Sequence, residues 1–260
     1  SLIKNSPLKR EIIKGTDIVF FRELMGGIYF GKKELSKDGQ SAFDICSYTV
    51  EEISRITHLA FKASQSRRKK VTLIDKANVL ETSRLWRKTV TEIAKQYKDV
   101  TLEYLFVDNA AMQLILNPRQ FDVILTENLF GDIISDEASV IGGSIGLLAS
   151  SSLGNKNALF EPIHGAYPQA KGKDIANPLA SILSAAMLLE HLGLDEEANA
   201  IERAVEKSLI LNITTEDIKG KNKYPASTSK VGDFIADYIL NQEDSNLNFM
   251  NIHAGQSTII

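Results

Sequence analysis

The amino-acid sequence predicts an α/β protein with two domains, and two observations support this fold class. Four short apolar runs with the character of β-strands alternate with longer segments whose apolar residues recur at helical spacing. After residue 175 the pattern becomes almost entirely helical, which indicates a second structural region. The chain has 260 residues, of which 43% are hydrophobic and 24% charged. Such values are typical of one large or two ordinary globular domains.

The elements of the first region follow one another in a regular order. Strands are predicted at 16–22, 71–75, 101–107 and 122–126, and helices at 49–66, 82–97 and 131–141. In the second region, helices are predicted at 178–192, 195–211 and 228–240, and the last twenty residues are expected to be a loosely held tail. Between the regions, Ala138–Asn155 is predicted to be a buried helix end followed by a loop. We therefore expect domains at 1–142 and 143–260.

Charge and composition argue against several classes of partner. The net charge of -3 gives no overall attraction to nucleic-acid phosphates, and the dense basic run at 67–70 is expected to be a solvated helix end that complements the helix dipole. Cys46 is the only cysteine, so no disulfide can form within the chain. The segment Ser1–Asp17 is too polar for a secretory signal, and no run has the apolar character of a spanning helix. We expect a cytoplasmic protein that binds neither nucleic acid nor a membrane.

Two aspartates follow the end of the fourth strand. Asp132 and Asp136 are four residues apart, so a helix would place both carboxylates on one face. Two like charges destabilise a helix unless a cation lies between them, and carboxylate oxygens suit magnesium or manganese. Helix capping is the alternative, because aspartate is common in the first turn of a helix.

Two more polar positions lie at strand ends, where open α/β sheets usually bind ligands. Asp108 comes directly after the third strand and opens a helix, so an N-cap is its alternative role. Lys76 follows the second strand. A desolvated lysine can act as a base, whereas a solvated surface lysine is the alternative.

Two glycine-containing segments are candidates for ligand-binding loops. Gly26–Lys33 matches the first seven positions of a phosphate-binding loop, but lysine stands at the eighth, where serine or threonine would hold magnesium. A phosphotransferase that binds a nucleoside triphosphate there is therefore an alternative with a defective motif. The segment Glu161–Pro178 is long, aperiodic and precedes a helix, which is typical of a functional loop.

Four segments occur in the order found in the β-decarboxylating dehydrogenases, and the chain resembles that family from residue 6 to about 240. The segments are Arg22–Gly31, Asp75–Leu80, Asn128–Glu137 and His164–Asn177. The Leu-Met-Gly-Gly-Ile-Tyr-Phe-Gly form after the arginine-glutamate pair resembles the isopropylmalate branch. The isocitrate, homoisocitrate and tartrate branches typically differ there.

The resemblance implies an isopropylmalate/isocitrate dehydrogenase-like two-domain fold whose first domain is built from both chain ends. Residues 1–142 would be the central domain for substrate, metal and dimerisation. Residues 143–260 would be the C-terminal share of the cofactor-binding domain plus a tail. About a hundred residues of family sequence, the N-terminal part of the first domain, have no counterpart here. The chain alone is therefore expected to be at most weakly active, and a non-catalytic, dimer-forming fragment is the competing hypothesis.

The activity implied is the NAD-dependent, metal-assisted oxidative decarboxylation of 3-isopropylmalate to 2-oxo-4-methylpentanoate in leucine biosynthesis. Arg22 would hold a substrate carboxylate, Tyr29 would be the acid and Lys76 the base. Asn78 would contact substrate or nicotinamide. The carboxylates that would bind Mg²⁺ or Mn²⁺ are those of Asp108, Asp132 and Asp136.

The resemblance also implies a homodimer with shared active sites, because in this family the residues matching Lys76, Asn78 and Asp108 reach across from the partner subunit. The residues expected to bind the cofactor are Glu161, His164, Gly165, Ala166, Pro168, Gln169 and Asn177. Gln169 offers no positive charge for a 2'-phosphate, so NAD is expected rather than NADP.

Overall fold

The structure is a computed structural model that describes residues 6–154, 156–219 and 224–246. The described part up to residue 142 contains α1 (Arg10–Ile13), β1 (Val19–Arg22), β2 (Lys33–Leu35), β3 (Ala42–Asp44), α2 (Val50–Gln65), β4 (Lys70–Asp75), α3 (Glu81–Ala94), β5 (Thr101–Phe106), α4 (Val107–Leu116), β6 (Val123–Thr126) and α5 (Asn128–Gly142). The part after it contains β7 (Ala149–Leu153), β8 (Ala158–Pro162), α6 (Leu179–His191), α7 (Asp195–Ile210) and α8 (Thr228–Asn246). The predicted α/β class and the four predicted strands are confirmed.

A four-stranded parallel sheet with the order β1-β6-β4-β5 positions the polar segments of the N-terminal part. The two inner strands, β4 and β6, are buried along almost their whole length, as expected for strands that carry apolar side chains on both faces. Helices α2 and α3 contribute Phe61 and Trp86 to the core against Leu73 and Leu125. Because the strands are parallel, all four carboxyl ends meet at one edge of the sheet.

Helix α2 begins where its sequence provides a capping box. The Thr49 side chain accepts a hydrogen bond from the Glu52 amide, and the Glu52 carboxylate accepts one from the Thr49 amide. At the other end, Arg67 is not the solvated residue that the basic run led us to expect. Its side chain is 14% exposed and donates to the buried Asp122 at 2.9 Å and to Asp17. Buried carboxylates need such partners, so this part of the basic run joins α2 to the sheet.

The segment that resembles a phosphate-binding loop adopts a different structure. Gly27–Tyr29 forms a 3-10 turn, and β2 follows at Lys33 and pairs antiparallel with β3. A phosphate-binding loop requires a helix after the glycines, with its amides directed at the ligand. The phosphotransferase alternative therefore has no structural support at this position.

The C-terminal part packs three helices around one core. Side chains from α6, α7 and α8, among them Leu179, Val205 and Val231, are buried together. Strand β7 pairs antiparallel with β8, so the prediction of a loop through residues 149–153 is wrong. The strand consists mainly of serine and lacks the β-branched and aromatic residues that favour strands, and it forms because a partner lies opposite it.

The described residues divide into two compact units. One is Glu11–Ala138, and the other joins the chain before residue 11 to the chain from Ser139 onward. The division falls within α5, the helix that also contains residue 142. Among the described helices, none combines the length and the apolar character needed to cross a membrane.

Candidate active site

Arg22 ends β1 and lies against the first turns of α5, which follows β6 in the neighbouring strand position. Its Nη1 donates to Oδ1 of Asp132 at 2.5 Å, while Nε and Nη2 donate to Oδ1 of Asn128 at 3.1 and 2.8 Å. Gly131 permits this approach, because a Cβ there would lie 2.7 Å from Cγ of Arg22. The guanidinium is thus held at the carboxyl edge of the sheet, and its side chain stays 24% exposed.

Tyr29 reaches the same carboxylate from the 3-10 turn. Its hydroxyl donates to Oδ2 of Asp132 at 2.6 Å, and the Arg22 guanidinium lies 5.6 Å from the centre of its ring. The hydrogen bond to the Asp132 carboxylate raises the pKa of the Tyr29 phenol, because a phenolate there would face another negative charge. Arg22 and Tyr29 from one predicted motif and Asp132 from another therefore form one cluster in the structure.

The turn that carries Tyr29 is held by buried polar side chains. Glu23, 1% exposed, accepts two hydrogen bonds from Arg55 at 2.7 and 2.9 Å and one from the Met25 amide. The Tyr48 ring lies so close to the glycine pair that a Cβ on Gly27 would be 2.0 Å from its hydroxyl. Gly27 also has a φ of +80°, which disfavours any side chain. These contacts hold the turn in place and exclude a side chain at Gly27.

A second pair of predicted residues lies at the ends of β4 and β5. The Lys76 ammonium donates to Oδ1 of Asp108 at 2.5 Å, and this contact holds the pKa of the Asp108 carboxyl below its usual range. Asn78 is exposed in the turn that follows. The buried Asp75 accepts two hydrogen bonds of 2.8 Å from Arg87 and one from the Ala77 amide, which fixes the backbone on both sides of Lys76.

The capping alternatives for the aspartates do not apply. Helix α5 begins at Asn128, so Asp132 lies beyond its first turn, and Asp136, one further turn along, is exposed. Asp108 lies within α4, where the N-cap is Phe106. Within the described parts of the chain, no group of three or more His, Cys, Asp or Glu side chains is arranged to hold a metal ion. One copy of the chain therefore does not bring the three predicted carboxylates together.

The predicted cofactor loop lies in the other unit. Glu161 is exposed in β8, and Gly165, Ala166, Pro168 and Gln169 are exposed after it. His164 is half-buried, with Nδ1 at 3.0 Å from the Gly165 carbonyl oxygen. The accessible backbone and the open space above Gly165 are compatible with a bound adenosine group.

Asn177, at the end of this loop, is engaged within its own unit. Its amide nitrogen donates to Asp217 at 2.9 Å, and its amide oxygen accepts from the Leu179 backbone. Asp217 also accepts from the hydroxyls of Ser144 and Thr215. The side chain of Asn177 therefore fixes the loop end, and a cofactor contact there remains a prediction.

Sequence reasoning missed the residues that hold the site in place, above all Asn128, Tyr48 and Asp75. A signal was present at the ends of the two buried strands. Strand β4 ends in the polar residue Asp75, and the polar residues Glu127 and Asn128 directly follow β6. This signal did not indicate which residues contact these polar side chains, because the contacting residues lie far away in the sequence.

The chain matches a known protein family over most of its length. A family model described as isocitrate/isopropylmalate dehydrogenase matches residues 1–235. The chain is 55% identical over 239 residues to 3-isopropylmalate dehydrogenase of Wolinella succinogenes, a match that covers 91% of this chain and 66% of the relative. It is 54% identical over 235 residues to the enzyme of the same name from Clostridium acetobutylicum, covering 88% and 66%. The chain thus spans 66% of the length of these curated relatives.

Solved structures show the same architecture. A crystal structure of isocitrate dehydrogenase from Methylococcus capsulatus superposes with a TM-score of 0.81 at 38% identity, covering 86% of this chain and 70% of that one. A beta-decarboxylating dehydrogenase from Thermococcus kodakarensis gives a TM-score of 0.78 at 36% identity, covering 93% and 70%.

Proposed function

We propose that this chain, which belongs to the isocitrate/isopropylmalate dehydrogenase family, takes part in the NAD-dependent oxidative decarboxylation of 3-isopropylmalate in the cytoplasm. The observation that carries the proposal is the cluster of Arg22, Tyr29 and Asp132 at the carboxyl edge of the parallel sheet. The sequence around the cluster belongs to the isopropylmalate branch, and the two relatives quoted above are 3-isopropylmalate dehydrogenases.

Arg22 and Tyr29 have different roles toward the substrate. The guanidinium is oriented by Asn128 and can pair with a substrate carboxylate through two parallel N–H groups, the geometry that arginine offers and lysine does not. The Tyr29 hydroxyl keeps its proton at neutral pH, so it can deliver that proton to C3 after carbon dioxide has left. Arg22 thus binds and orients the substrate, and Tyr29 acts as the acid.

Lys76 acts on the hydroxyl at C2 as the general base. Its ammonium donates to Asp108 in this structure. After the ammonium has released one proton to water, the resulting amine can accept the proton of the substrate hydroxyl. We propose that Lys76, Asn78 and Asp108 serve the active site of a second copy of the chain. Exposed apolar side chains on α4 and α5, Met112 at 56%, Leu116 at 65% and Ile133 at 58%, support such a dimer.

The proposed carboxylate ligands are suited to a hard divalent cation, and the proposed cofactor loop is suited to NAD. Asp132 and Asp136 from one copy, with Asp108 from the other, would supply the carboxylate oxygens that Mg²⁺ or Mn²⁺ prefers. The loop from His164 to Gln169 would hold the adenosine half of NAD. When bound, the cation would polarise the C2 oxygen and NAD would supply the hydride acceptor, the chemistry by which a hydroxy acid is oxidised to a keto acid that loses carbon dioxide.

The test measures binding, because the chain spans 66% of the length of its relatives. Calorimetric titration of the 260-residue chain with 3-isopropylmalate and with isocitrate, each with Mn²⁺ present, should show tighter binding of 3-isopropylmalate. The Arg22→Lys variant should weaken it about tenfold or more, since a point charge cannot replace the bidentate pair. Failure of 3-isopropylmalate to bind, or tighter binding of isocitrate, would contradict the proposal. Decarboxylation, followed as NADH formation, is then measured on the same samples.

The shared site has a separate test in mixed dimers. Asp108→Asn and Asp132→Asn each damage both composite sites of a homodimer, whereas a mixed dimer contains one intact site. Mixing the two variants should therefore restore Mn²⁺ binding that neither shows alone. No restoration in samples that contain mixed dimers would show that Asp108 does not serve the partner's site.

A further inference from the structure

We infer that Asn128 is a positioning residue that sets the direction of the Arg22 guanidinium and, through the backbone of residues 24–26, the turn that carries Tyr29. The inference deepens the proposed function, on which it rests. Asn128 is 2% exposed and is the first residue of α5. Its side-chain oxygen Oδ1 and its side-chain nitrogen Nδ2 contact two different parts of the site.

The oxygen side of Asn128 faces Arg22. Oδ1 accepts from Nη2 at 2.8 Å and from Nε at 3.1 Å, and the Asn128 backbone carbonyl accepts from Nε at 3.0 Å. These contacts occupy one edge of the guanidinium and leave Nη1 pointing at Asp132. A freely rotating guanidinium would lose side-chain entropy when it bound a carboxylate, and prior orientation removes that cost.

The nitrogen side of Asn128 faces the turn. Nδ2 donates to the carbonyl oxygens of Gly26 at 3.1 Å and Leu24 at 3.3 Å. Both carbonyls belong to the short connection between Arg22 and Tyr29. The amide is the side chain that accepts on one side and donates on the other, so it joins the two proposed substrate-facing groups through one rigid plane.

Asn128 is itself held by a buried pair. The Asn128 backbone amide donates to the Tyr48 hydroxyl at 3.0 Å, and that hydroxyl donates to Oε2 of Glu127 at 2.7 Å. Tyr48 is 8% exposed, and its ring packs edge-on against Trp86 at 5.5 Å. The position of Asn128 is therefore set by the core, and the side chain transmits that position to the site.

The experiment compares Asn128→Ala and Asn128→Asp with the wild-type 260-residue chain. Alanine removes both sides of the amide. Aspartate keeps acceptors for Arg22 but turns a carboxylate oxygen toward the carbonyls of Leu24 and Gly26. Three quantities are measured, namely the exchange protection of the Arg22 Nη2–H groups by ¹⁵N NMR, assigned with Arg22→Lys, the backbone amide shifts of Gly26 and Gly27, and the affinity for 3-isopropylmalate; Nη2 is chosen because it donates to Oδ1 of Asn128, whereas Nε also donates to the backbone carbonyl that alanine keeps. Thr57→Ala is the control for lost stability, because Thr57 is buried and bonds within its own helix.

We expect Asn128→Ala to abolish the protection of the Nη2–H groups and to shift both glycine amides, whereas Asn128→Asp should keep the protection and shift only the amides. The affinity for 3-isopropylmalate with Mn²⁺ should fall about tenfold in Asn128→Ala and stay within about twofold in Thr57→Ala. Protected Nη2–H groups or an unchanged affinity in Asn128→Ala would overturn the inference. If Asn128→Ala does not fold, the split response of Asn128→Asp decides. If the wild-type chain does not bind 3-isopropylmalate, the proposed function fails, and the NMR signals alone decide the role of Asn128.

Discussion

The hydroxyl of Tyr29 lies 2.6 Å from Oδ2 of Asp132, although the two residues are 103 positions apart in the chain. The proposed proton donor and a proposed metal ligand thus share one hydrogen bond, and Arg22 holds the other carboxylate oxygen. Asp132 therefore contacts both of the proposed substrate-facing residues.

Replacing Asp132 with asparagine should weaken Mn²⁺ binding at least tenfold, about 1.4 kcal/mol. The reason is the loss of a charged oxygen ligand, which a neutral amide replaces poorly. Calorimetric titration of the wild-type and variant chains with Mn²⁺ measures the change. Asp233→Asn, which makes the same charge change at an exposed position in α8, is the control and should leave the affinity unaltered. Equal affinities in Asp132→Asn and Asp233→Asn would exclude Asp132 as a ligand.

Arg87→Met should destabilise the chain by about 2 to 3 kcal/mol, because it leaves the carboxylate of Asp75 buried without its cation. Asp75 is 2% exposed and Arg87 is 34% exposed. Lys95→Met breaks a pair at the C-terminal end of the same helix whose side chains are 68% and 72% exposed, and it should cost less than about 1 kcal/mol. Urea unfolding of both variants supplies the comparison.

The double variant Asp75→Asn, Arg87→Met tests the mechanism of that destabilisation. The double variant should recover part of the free energy of unfolding that Arg87→Met loses, since no buried charge then lacks a partner. A double variant less stable than Arg87→Met would mean that packing of the arginine over the rings of Tyr104 and Phe106, 5.0 and 5.3 Å away, is the larger contribution.

Stability at alkaline pH should depend on Tyr48. Burial, and then the hydrogen bond to Glu127, raise the pKa of its phenol far above the ordinary value of about 10. In the unfolded chain the phenol loses its proton above about pH 10, while in the folded chain it keeps it, so rising pH favours unfolding. The contribution of this group is fully present below about pH 10 and decreases above it by about 1.4 kcal/mol per pH unit.

The measurement is the free energy of unfolding of the wild type and of Tyr48→Phe from neutral to alkaline pH. Tyr48→Phe should be the less stable protein at pH 7, because it leaves Oε2 of Glu127 and the Asn128 backbone amide without the Tyr48 hydroxyl, while Oε1 of Glu127 keeps the Phe130 amide. The difference between the two proteins should shrink above about pH 10. A constant difference across the range would show that Tyr48 ionises equally in both states.

The chain should bind NADH more tightly than NADPH. The side chain that follows Pro168 is the neutral, exposed Gln169, which can bond to ribose hydroxyls but offers no charge for a 2'-phosphate. Fluorescence titration of the 260-residue chain with each dinucleotide gives the two affinities. Lys171 is the nearest cation in sequence after Gln169, so Lys171→Gln serves as the control and should preserve the order. Tighter binding of NADPH by the wild type would contradict this prediction.

The elements of the sheet were predictable because they depend on neighbouring residues. The buried run Val71–Asp75 and the helical spacing of α2 and α3 specify their own secondary structure, and the structure confirms them. Polar residues directly after those strands also marked the carboxyl edge as the place for Lys76 and Asp132. The strand in Ala149–Leu153 escaped prediction, because its serines favour a strand only when β8 lies opposite.

The sequence by itself determined which residue types stand at the sheet edge, through local periodicity and through motifs shared with a known family. Only the tertiary structure decided their partners. The strand order β1-β6-β4-β5 places Arg22 beside Asn128 across 106 residues and groups Lys76 with Asp108 on the other pair of strands. No local pattern encodes that order, because it results from burying both faces of β4 and β6 at once, a requirement that the whole sheet meets and no single segment can.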